Sequence, residues 1–429
     1  MKRDIYQNLQ SWKVQPNRKP LILQGARQVG KTYALKEFGK REYDQVLYVN
    51  FEKMKKVSSL FSENLEVEKL IQKLAFYFEM SIHPETTLLV FDEIQESPAA
   101  LNSLKYFCED APQYHVIAAG SLLGIKLVHS HGFPVGKVTF QYLYPLSFTE
   151  FLNALGKYTY ADLLSQIQLQ NPLEELFHHE LIELLKIYFY VGGMPEAVYQ
   201  YSQTQDYSLV QQIHADILRA YELDFAKHAL PTDIPKISAI WDAIPAQLAK
   251  ENKKFIYSVL KSSARGREYE SAIRWLIDAN LILQCTQIST PQIFKTYLLD
   301  VGLLSQMNYV DPKILLEKEQ LFKEFSGALT ENYVAQTLTA LLKRPLHYWR
   351  SEGKAEVDFL IETENKIFPL EVKAGTSHHK QSLSVYLEKF HPPLVLRTSL
   401  LNLRKDGYVL NIPLYAMEQL PRLLKQAAS

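Results

Sequence analysis

The sequence predicts an α/β protein that begins with a parallel sheet and ends with a second α/β domain. Between residues 20 and 140, short apolar runs alternate with helical segments, which is typical of parallel strands joined by crossover helices. From about 150 to 230 apolar residues recur at helical spacing, and strand-like runs return after residue 340. We therefore predict a core at 1–155, a helical segment at 156–233, a third segment at 234–320 and a final α/β domain at 321–429.

Composition excludes several classes of protein. The 429 residues contain 47 basic and 47 acidic side chains, so bulk charge does not favour binding to nucleic acid. The two cysteines, Cys108 and Cys285, lie far apart and outside any C-x-x-C pair, which excludes a disulfide framework or a zinc ribbon. The sequence has no run of about 18 apolar residues and no export signal. We therefore expect no membrane span and a cytoplasmic location.

The strongest motif is a glycine-rich loop between an apolar run at 21–23 and a helical segment. It has the pattern G-x-x-x-x-G-K-[ST] and consists of Gly25, Ala26, Arg27, Gln28, Val29, Gly30, Lys31 and Thr32. Glycines allow a tight winding that aims successive N–H groups at phosphate oxygens, and the following helix adds its N-terminal dipole. The motif predicts a nucleotide site in which Lys31 contacts the β- and γ-phosphates and Thr32 is a ligand of Mg²⁺.

Two further strand ends are expected to complete this site. The apolar run at 87–91 delivers Asp92 and Glu93 to the carboxyl end of a strand, where open parallel sheets bind ligands. We predict that Asp92 holds Mg²⁺ through water and that Glu93 is the general base for the attacking water. The strand at 115–119 ends near Ser121, which either senses the γ-phosphate or simply caps a helix. The predicted catalytic residues are thus Glu93, Lys31 and Ser121.

The third segment contains three helix-like stretches followed by two short β-like runs. Helices followed by a β-hairpin are typical of a winged helix, in which residues 268–279 would occupy the position of the recognition helix. The alternative is a helical packing domain whose hairpin covers its core. Fold alone does not decide between them, because function depends on the site that a fold carries.

The last segment carries carboxylates and a lysine at strand spacing. Glu371 and Lys373 are two residues apart on one predicted strand, so they share a face, and Asp358 lies on the preceding strand. Asp358 and Glu371 could bind Mg²⁺ while Lys373 stabilises the attacking hydroxide or the developing charge. Glu331 on the preceding helix is a further acidic candidate. The pattern resembles that of the PD-(D/E)XK nucleases, and the alternatives are a charged, solvated sheet face or a nuclease fold without activity.

The chain as a whole resembles prokaryotic ATPases of the AAA+ superfamily that are joined to a C-terminal domain of uncharacterised function. Besides the loop and the acidic strand end, the resemblance rests on the segments 133–137, 144–148, 192–196, 297–304 and 327–332. It implies a P-loop AAA+ core at 1–155, a helical lid at 156–233, a winged helix at 234–320 and a PD-(D/E)XK nuclease-like domain at 321–429. It also implies that ATP and Mg²⁺ are the cofactors and that the strand ending at Asp92 lies beside the strand ending near Ser121.

One position departs from the pattern of that family. Relatives often carry an arginine where this chain has Lys137, and a lysine supplies charge without the planar fork with which an arginine finger contacts the γ-phosphate. Arg219, Arg265 and Arg267 are other candidates for such a finger, and the sequence does not separate them.

Three functions remain open at this point. In the first, ATP hydrolysis controls a nuclease-like domain that acts on nucleic acid. In the second, the protein is a STAND-like switch whose ATP and ADP states reposition a non-catalytic C-terminal scaffold for a protein partner. In the third, the winged helix makes it a DNA-binding regulator, which the neutral net charge disfavours. The expected partners are accordingly ATP, DNA through either C-terminal domain, and a protein partner or a second copy of the chain.

Overall fold

A computed structural model describes residues 1–62, 66–121, 134–250, 253–311, 322–353, 355–374 and 381–428. Residue 133 of the segment 133–137 lies outside this part of the chain. The chain divides into two units. The N-terminal unit contains residues 2–144 and 278–280, and the C-terminal unit contains Met1 and residues 145–277 and 281–429. No helix in the described ranges has both the length and the apolar composition needed to cross a membrane.

The N-terminal unit is built on a parallel sheet of five strands, as the sequence predicts. The strands are β1 (Leu21–Gln24), β2 (Gln45–Asn50), β3 (Thr87–Asp92), β4 (His115–Ala119) and β5 (Thr139–Tyr142). Their order is β2-β3-β4-β1-β5, and every pairing between neighbours is parallel. The strand that ends at Asp92 therefore lies beside the strand that ends near Ser121, as the resemblance implies. The helices of this unit are α1 (Ile5–Lys13), α2 (Lys31–Glu42), α3 (Val67–Tyr77) and α4 (Pro98–Glu109).

Burial of the central strands explains why this sheet forms. All six residues of β3 and all five of β4 are buried, as expected when helices cover both faces of a parallel sheet. On one face, the rings of Phe51, Phe61, Phe91 and Phe107 pack edge to face in a continuous aromatic cluster. The carboxyl ends of the strands are thereby held on a rigid core.

The C-terminal unit begins with a series of helices, in agreement with the predicted helical segment. These are α5 (Phe148–Ala154), α6 (Tyr158–Gln166), α7 (Glu175–Val191), α8 (Pro195–Thr204), α9 (Tyr207–His228), α10 (Ile234–Leu248), α11 (Gly266–Asp278) and α12 (Val301–Met307). The expected middle helix of the third segment is reduced to a 3₁₀ turn at Tyr257–Val259, of which no residue is buried. Most helices in proteins are stabilised by burying an apolar face. No residue of this turn is buried, although the ring of Tyr257 contacts those of Phe255, Tyr269 and Phe294.

Two sheets complete the C-terminal unit. The first has the order β7-β6-β8-β9 and contains β6 (Ile282–Gln287), β7 (Thr290–Leu298), β8 (Leu346–Arg350) and β9 (Glu356–Val357). The second has the order β10-β11-β12-β14-β13 and contains β10 (Phe359–Thr363), β11 (Lys366–Val372), β12 (Val395–Ser399), β13 (Arg404–Asp406) and β14 (Val409–Pro413). The remaining helices are α13 (Phe322–Leu342), α14 (Gln381–Phe390) and α15 (Leu420–Ala428).

The β6–β7 hairpin is not a free wing. Strand β6 pairs in parallel with β8, so one sheet joins the predicted third segment to the predicted final domain. The division of the chain at residues 155, 233 and 320 stays a prediction. Because β6 and β8 lie on either side of residue 320, one sheet contains strands from both sides of that predicted boundary.

Two segments quoted for the resemblance, 192–196 and 297–304, meet at one buried carboxylate. Asp300 Oδ2 accepts a hydrogen bond of 2.7 Å from the N–H of Gly193, and Asp300 Oδ1 accepts one of 3.1 Å from the N–H of Leu303. Burial raises the pKa of Asp300 to about 6, while the backbone donors oppose this rise. The side chain of Asp300 thus caps the N-terminus of α12 and links it to the residues that follow α7. These two segments therefore stabilise the packing of the unit.

Candidate functional site

Two glycines shape the loop between β1 and α2. Gly30 immediately precedes α2 with φ of 92°, a left-handed conformation that favours glycine. At Gly25, φ is 149°, and a Cβ atom would meet the carbonyl oxygen of Leu143. Buried Arg3 also supports the loop, because its guanidinium donates to the carbonyl oxygen of Val29 at 3.3 Å. No motif in the sequence indicates Arg3, because its contact joins residues 26 positions apart.

Lys31 lies buried at the start of α2 with its ammonium group folded onto the loop. Its Nζ donates to the carbonyl oxygens of Gly25 and Ala26, at 2.8 Å in each case. Burial lowers the pKa of Lys31 to about 8, and the nearby carboxylates of Glu93 and Asp92 oppose this fall. The same ammonium group is therefore available to an anion that can compete with two neutral carbonyl groups.

The carboxylate of Asp92 accepts hydrogen bonds from three donors. Thr32 Oγ1 donates to Asp92 Oδ2 at 2.8 Å, and the hydroxyl of Tyr48 donates to the same oxygen at 2.6 Å. The N–H of Glu93 donates to Asp92 Oδ1 at 3.1 Å. The structure thus brings together the last residue of the loop and the end of β3, as the sequence predicts. It adds Tyr48 of β2, which no motif indicated.

Glu93 lies just beyond β3 in a left-handed conformation, with φ of 49°. Gln95 Nε2 donates to Glu93 Oε2 at 2.5 Å, and Ser121 Oγ lies 3.4 Å from the same oxygen. Ser121 is therefore close to the candidate base, and its role as a phosphate sensor stays a prediction. Gln95 was not foreseen, because a glutamine one residue beyond a buried isoleucine carries no motif.

A second group of charged side chains lies inside the C-terminal unit, around Lys295. This lysine is 1% exposed, and its Nζ lies 3.1 Å from Glu331 Oε1, 2.7 Å from Glu356 Oε1 and 3.8 Å from Asp358 Oδ1. Lys253 forms an ion pair with the other oxygen of Glu331. Burial raises the pKa of Glu331, but Lys253 and Lys295 outweigh this effect and hold it below its usual range. Glu331 and Asp358 are candidates from the sequence, whereas no pattern in the sequence indicates either lysine.

Asp358, Glu371 and Lys373 come together at the edge of this group. Lys373 Nζ donates to Glu371 Oε1 at 2.5 Å, which agrees with their predicted place on one face. Asp358 Oδ2 accepts a hydrogen bond of 2.8 Å from the N–H of Val372. Burial is the main reason that the pKa values of Asp358 and Glu371 are raised, and each carboxylate also feels the charge of Glu331. Glu371 Oε2 is buried and has no hydrogen-bond partner among the described residues.

The two sites fit a metal ion differently. Thr32 and Asp92 offer a hydroxyl and a carboxylate, the hard oxygen ligands that Mg²⁺ takes beside a nucleotide. Within the described ranges, no three or more His, Cys, Asp or Glu side chains are grouped so as to hold a metal ion. In the C-terminal unit, ammonium groups contact both oxygens of Glu331 but only one oxygen each of Asp358 and Glu371, which leaves the latter two as the pair of candidate ligands. That metal site stays a prediction.

A family model matches the part of the chain that contains the loop and the parallel sheet. Residues 17–152 match the family model of the AAA domain. This part of the chain, which contains the loop and the parallel sheet, is therefore similar to AAA domains. Residues 182–314 and 326–416 match two families described only as domains of unknown function. The winged helix and the nuclease-like domain therefore stay predictions.

Individual relatives either match only a short part of the chain or have low sequence identity to it. Uncharacterised proteins of Mycobacterium bovis and Mycobacterium tuberculosis are each 35% identical over 80 residues, which is 18% of this chain and 17% of theirs. The chain thus matches less than a fifth of the length of these curated relatives. The Walker-type ATPase PABY2304 of Pyrococcus abyssi is 13% identical with a TM-score of 0.46, over 72% of this chain and 95% of that chain. The Aeropyrum pernix ORC1 protein in complex with DNA is 10% identical with a TM-score of 0.28, over 71% of this chain and 90% of that chain.

Replacing Lys295 tests the account of the acidic cluster. Lys295→Met keeps the length of the side chain but leaves Glu331 and Glu356 without their buried partner, so we expect the free energy of unfolding to fall by about 3–5 kcal/mol. Urea unfolding followed by tryptophan fluorescence measures this, because three of the four tryptophans (Trp241, Trp275 and Trp349) lie in the C-terminal unit. Exposed Lys261→Met is the matched control. A change as small as that of the control would contradict the account.

Proposed function

We propose that the AAA domain binds ATP together with Mg²⁺ and hydrolyses it. The observation that carries this proposal is the hydrogen bond of 2.8 Å from Thr32 Oγ1 to Asp92 Oδ2. It joins residues 60 positions apart and places the end of the phosphate loop beside the carboxyl end of β3. Parallel sheets bind ligands at this end, and a hydroxyl beside a carboxylate suits the Mg²⁺ of a bound nucleotide.

In this proposal residues 25–32 and the start of α2 bind the phosphates. Their backbone N–H groups and the helix dipole favour the phosphate oxygens. Lys31 exchanges the carbonyl oxygens of Gly25 and Ala26 for the β- and γ-phosphates, which are stronger acceptors because they carry charge. Thr32 and Asp92 would hold the Mg²⁺, which would supply positive charge beside the same phosphates.

In this proposal Glu93 is the general base for hydrolysis, and Ser121 lies beside it. As a carboxylate next to the loop, Glu93 accepts a proton from the attacking water, while Gln95 and Ser121 hold its Oε2. Ser121 follows the end of β4, the strand next to β3, by two residues, and its hydroxyl lies 3.4 Å from Glu93 Oε2. In this proposal the same hydroxyl also contacts the γ-phosphate.

Two substitutions separate binding from hydrolysis. Lys31→Ala should weaken ATP binding roughly 10–100-fold, since it removes a charged hydrogen-bond donor worth about 1.5–3 kcal/mol. Glu93→Gln should leave binding within about threefold of the wild type but lower turnover roughly 100-fold or more, because it removes only the base. Titration calorimetry with Mg–ATP measures the first effect, and phosphate release measures the second.

Exposed Lys40→Ala on the same helix and exposed Glu85→Gln are the matched controls. Phosphate release by Glu93→Gln at the wild-type rate would show that another group is the base. Unchanged ATP affinity in Lys31→Ala would contradict the nucleotide site itself.

A second candidate function is metal-dependent cleavage of nucleic acid by the C-terminal unit. The observation that favours it is the meeting of Asp358, Glu371 and Lys373, with the buried Glu371 Oε2 lacking a hydrogen-bond partner. Asp358 and Glu371 would hold the Mg²⁺, which would supply charge stabilisation at a phosphodiester, and Lys373 would support the attacking hydroxide. In this proposal the nucleotide state of the AAA domain controls cleavage.

Plasmid nicking tests this candidate. The full chain is incubated with supercoiled plasmid and Mg²⁺ or Mn²⁺, with and without ATP, and Asp358→Ala should lower cleavage roughly 100-fold because a ligand of the metal is lost. Exposed Asp406→Ala in the same unit is the control. Absence of cleavage under all four conditions would favour the alternative, an ATP and ADP switch whose C-terminal scaffold binds a protein partner.

A further inference from the structure

Asp92 Oδ2 accepts hydrogen bonds from two hydroxyl groups, and only one of them belongs to the phosphate loop. Thr32 donates at 2.8 Å and Tyr48 at 2.6 Å. Tyr48 lies on β2 two residues before Asn50, which is the register partner of Asp92 on β3. Alternate residues of a strand share a face, so Tyr48 and Asp92 form a diagonal pair across neighbouring strands. The contact is fixed by the register of the sheet.

The surroundings of Tyr48 differ from those of its neighbours on β2. Leu47 and Val49 are fully buried in the apolar core, whereas Tyr48 is half-buried and lies outside that cluster. The ammonium group of Lys36 lies 4.2 Å from the centre of its ring. Asn50 Nδ2 lies 3.4 Å from its hydroxyl oxygen and donates to it. The side chain therefore faces the site, with its hydroxyl as the bonded group.

The hydroxyl of Tyr48 is a hydrogen-bond donor, and it donates to Asp92 Oδ2 from a different strand than Thr32. It can therefore hold Asp92 Oδ2 when the hydroxyl of Thr32 turns to another partner, while the N–H of Glu93 holds Oδ1.

We propose that Tyr48 is a positioning residue that holds the Asp92 carboxylate in the orientation needed for nucleotide-bound Mg²⁺. The inference rests on the proposed function of the AAA domain. Thr32 serves as a metal ligand in that function, so its hydroxyl is shared between the metal and Asp92. Tyr48 supplies the donor to Asp92 that does not compete for the metal. Its loss frees the carboxylate to rotate and weakens Mg²⁺ binding without removing a contact to the nucleotide.

The experiment measures binding, using the full chain and the fluorescent non-hydrolysable analogue mant-AMPPNP. Mg²⁺ is titrated at fixed analogue concentration, and the affinity for the analogue is measured separately in EDTA. For Tyr48→Phe we expect the Mg²⁺ concentration at half-maximal binding to rise about 5–10-fold, which lies in the range for the loss of one typical hydrogen bond. The affinity in EDTA should remain that of the wild type. Partly buried Tyr106→Phe, in α4 of the same unit, is the matched control.

The Asp92→Asn background shows whether Tyr48 acts through Asp92. If it does, Tyr48→Phe adds no further shift there, whereas an equal shift in both backgrounds would contradict the inference. Equal Mg²⁺ dependence in the wild type and in Tyr48→Phe would overturn it, as would an equal loss of affinity with and without Mg²⁺. Failure of the wild type to bind mant-AMPPNP at any Mg²⁺ concentration would instead overturn the proposed function, and this inference with it.

Discussion

The carboxylate of Asp92 is the group on which the proposed nucleotide site depends. It lies at the end of a fully buried strand, so the core fixes its backbone, and donors from Thr32, Tyr48 and Glu93 fix its side chain. The loop, β2 and β3 thus converge on one acceptor. A buried carboxylate without such donors would cost several kcal/mol, so its hydrogen bonds stabilise the fold and orient the site together.

In the C-terminal unit, ammonium groups rather than hydroxyl and N–H donors stabilise the buried carboxylate. Glu331 is buried, Glu356 and Asp358 are partly buried, and the buried Lys295 lies among them. Lys253 contacts the other oxygen of Glu331. These charges come from both sides of the predicted boundary at residue 320. Together with the pairing of β6 and β8, they bind the hairpin to the final domain. A movement of one relative to the other would expose or unpair buried charge, which is unfavourable.

The sequence predicted those features that depend on contiguous residues. The phosphate loop, the acidic end of β3 and the shared face of Glu371 and Lys373 follow from spacing alone, and the structure has the predicted parallel sheet. The roles assigned to Arg27, Gln28 and Ser121 remain predictions. The contacts of Tyr48 and Lys295 could not be predicted, because each depends on strand register or on the packing of distant segments. Gln95 lies only two residues from Glu93 but belongs to no motif. Lys295 lies in a run of five buried residues at the end of β7, where a charged side chain is rare unless it is paired.

The most direct test of the central claim is a crystal structure of the full chain with Mg²⁺ and AMPPNP. We expect the triphosphate at the N-terminus of α2, with Mg²⁺ about 2.1 Å from Thr32 Oγ1 and Asp92 in its second coordination shell. We also expect the ammonium group of Lys31 to leave the carbonyl oxygens of Gly25 and Ala26 for the β- and γ-phosphates. A nucleotide bound elsewhere, or Mg²⁺ placed without Thr32 and Asp92 while Lys31 keeps its loop contacts, would contradict the account.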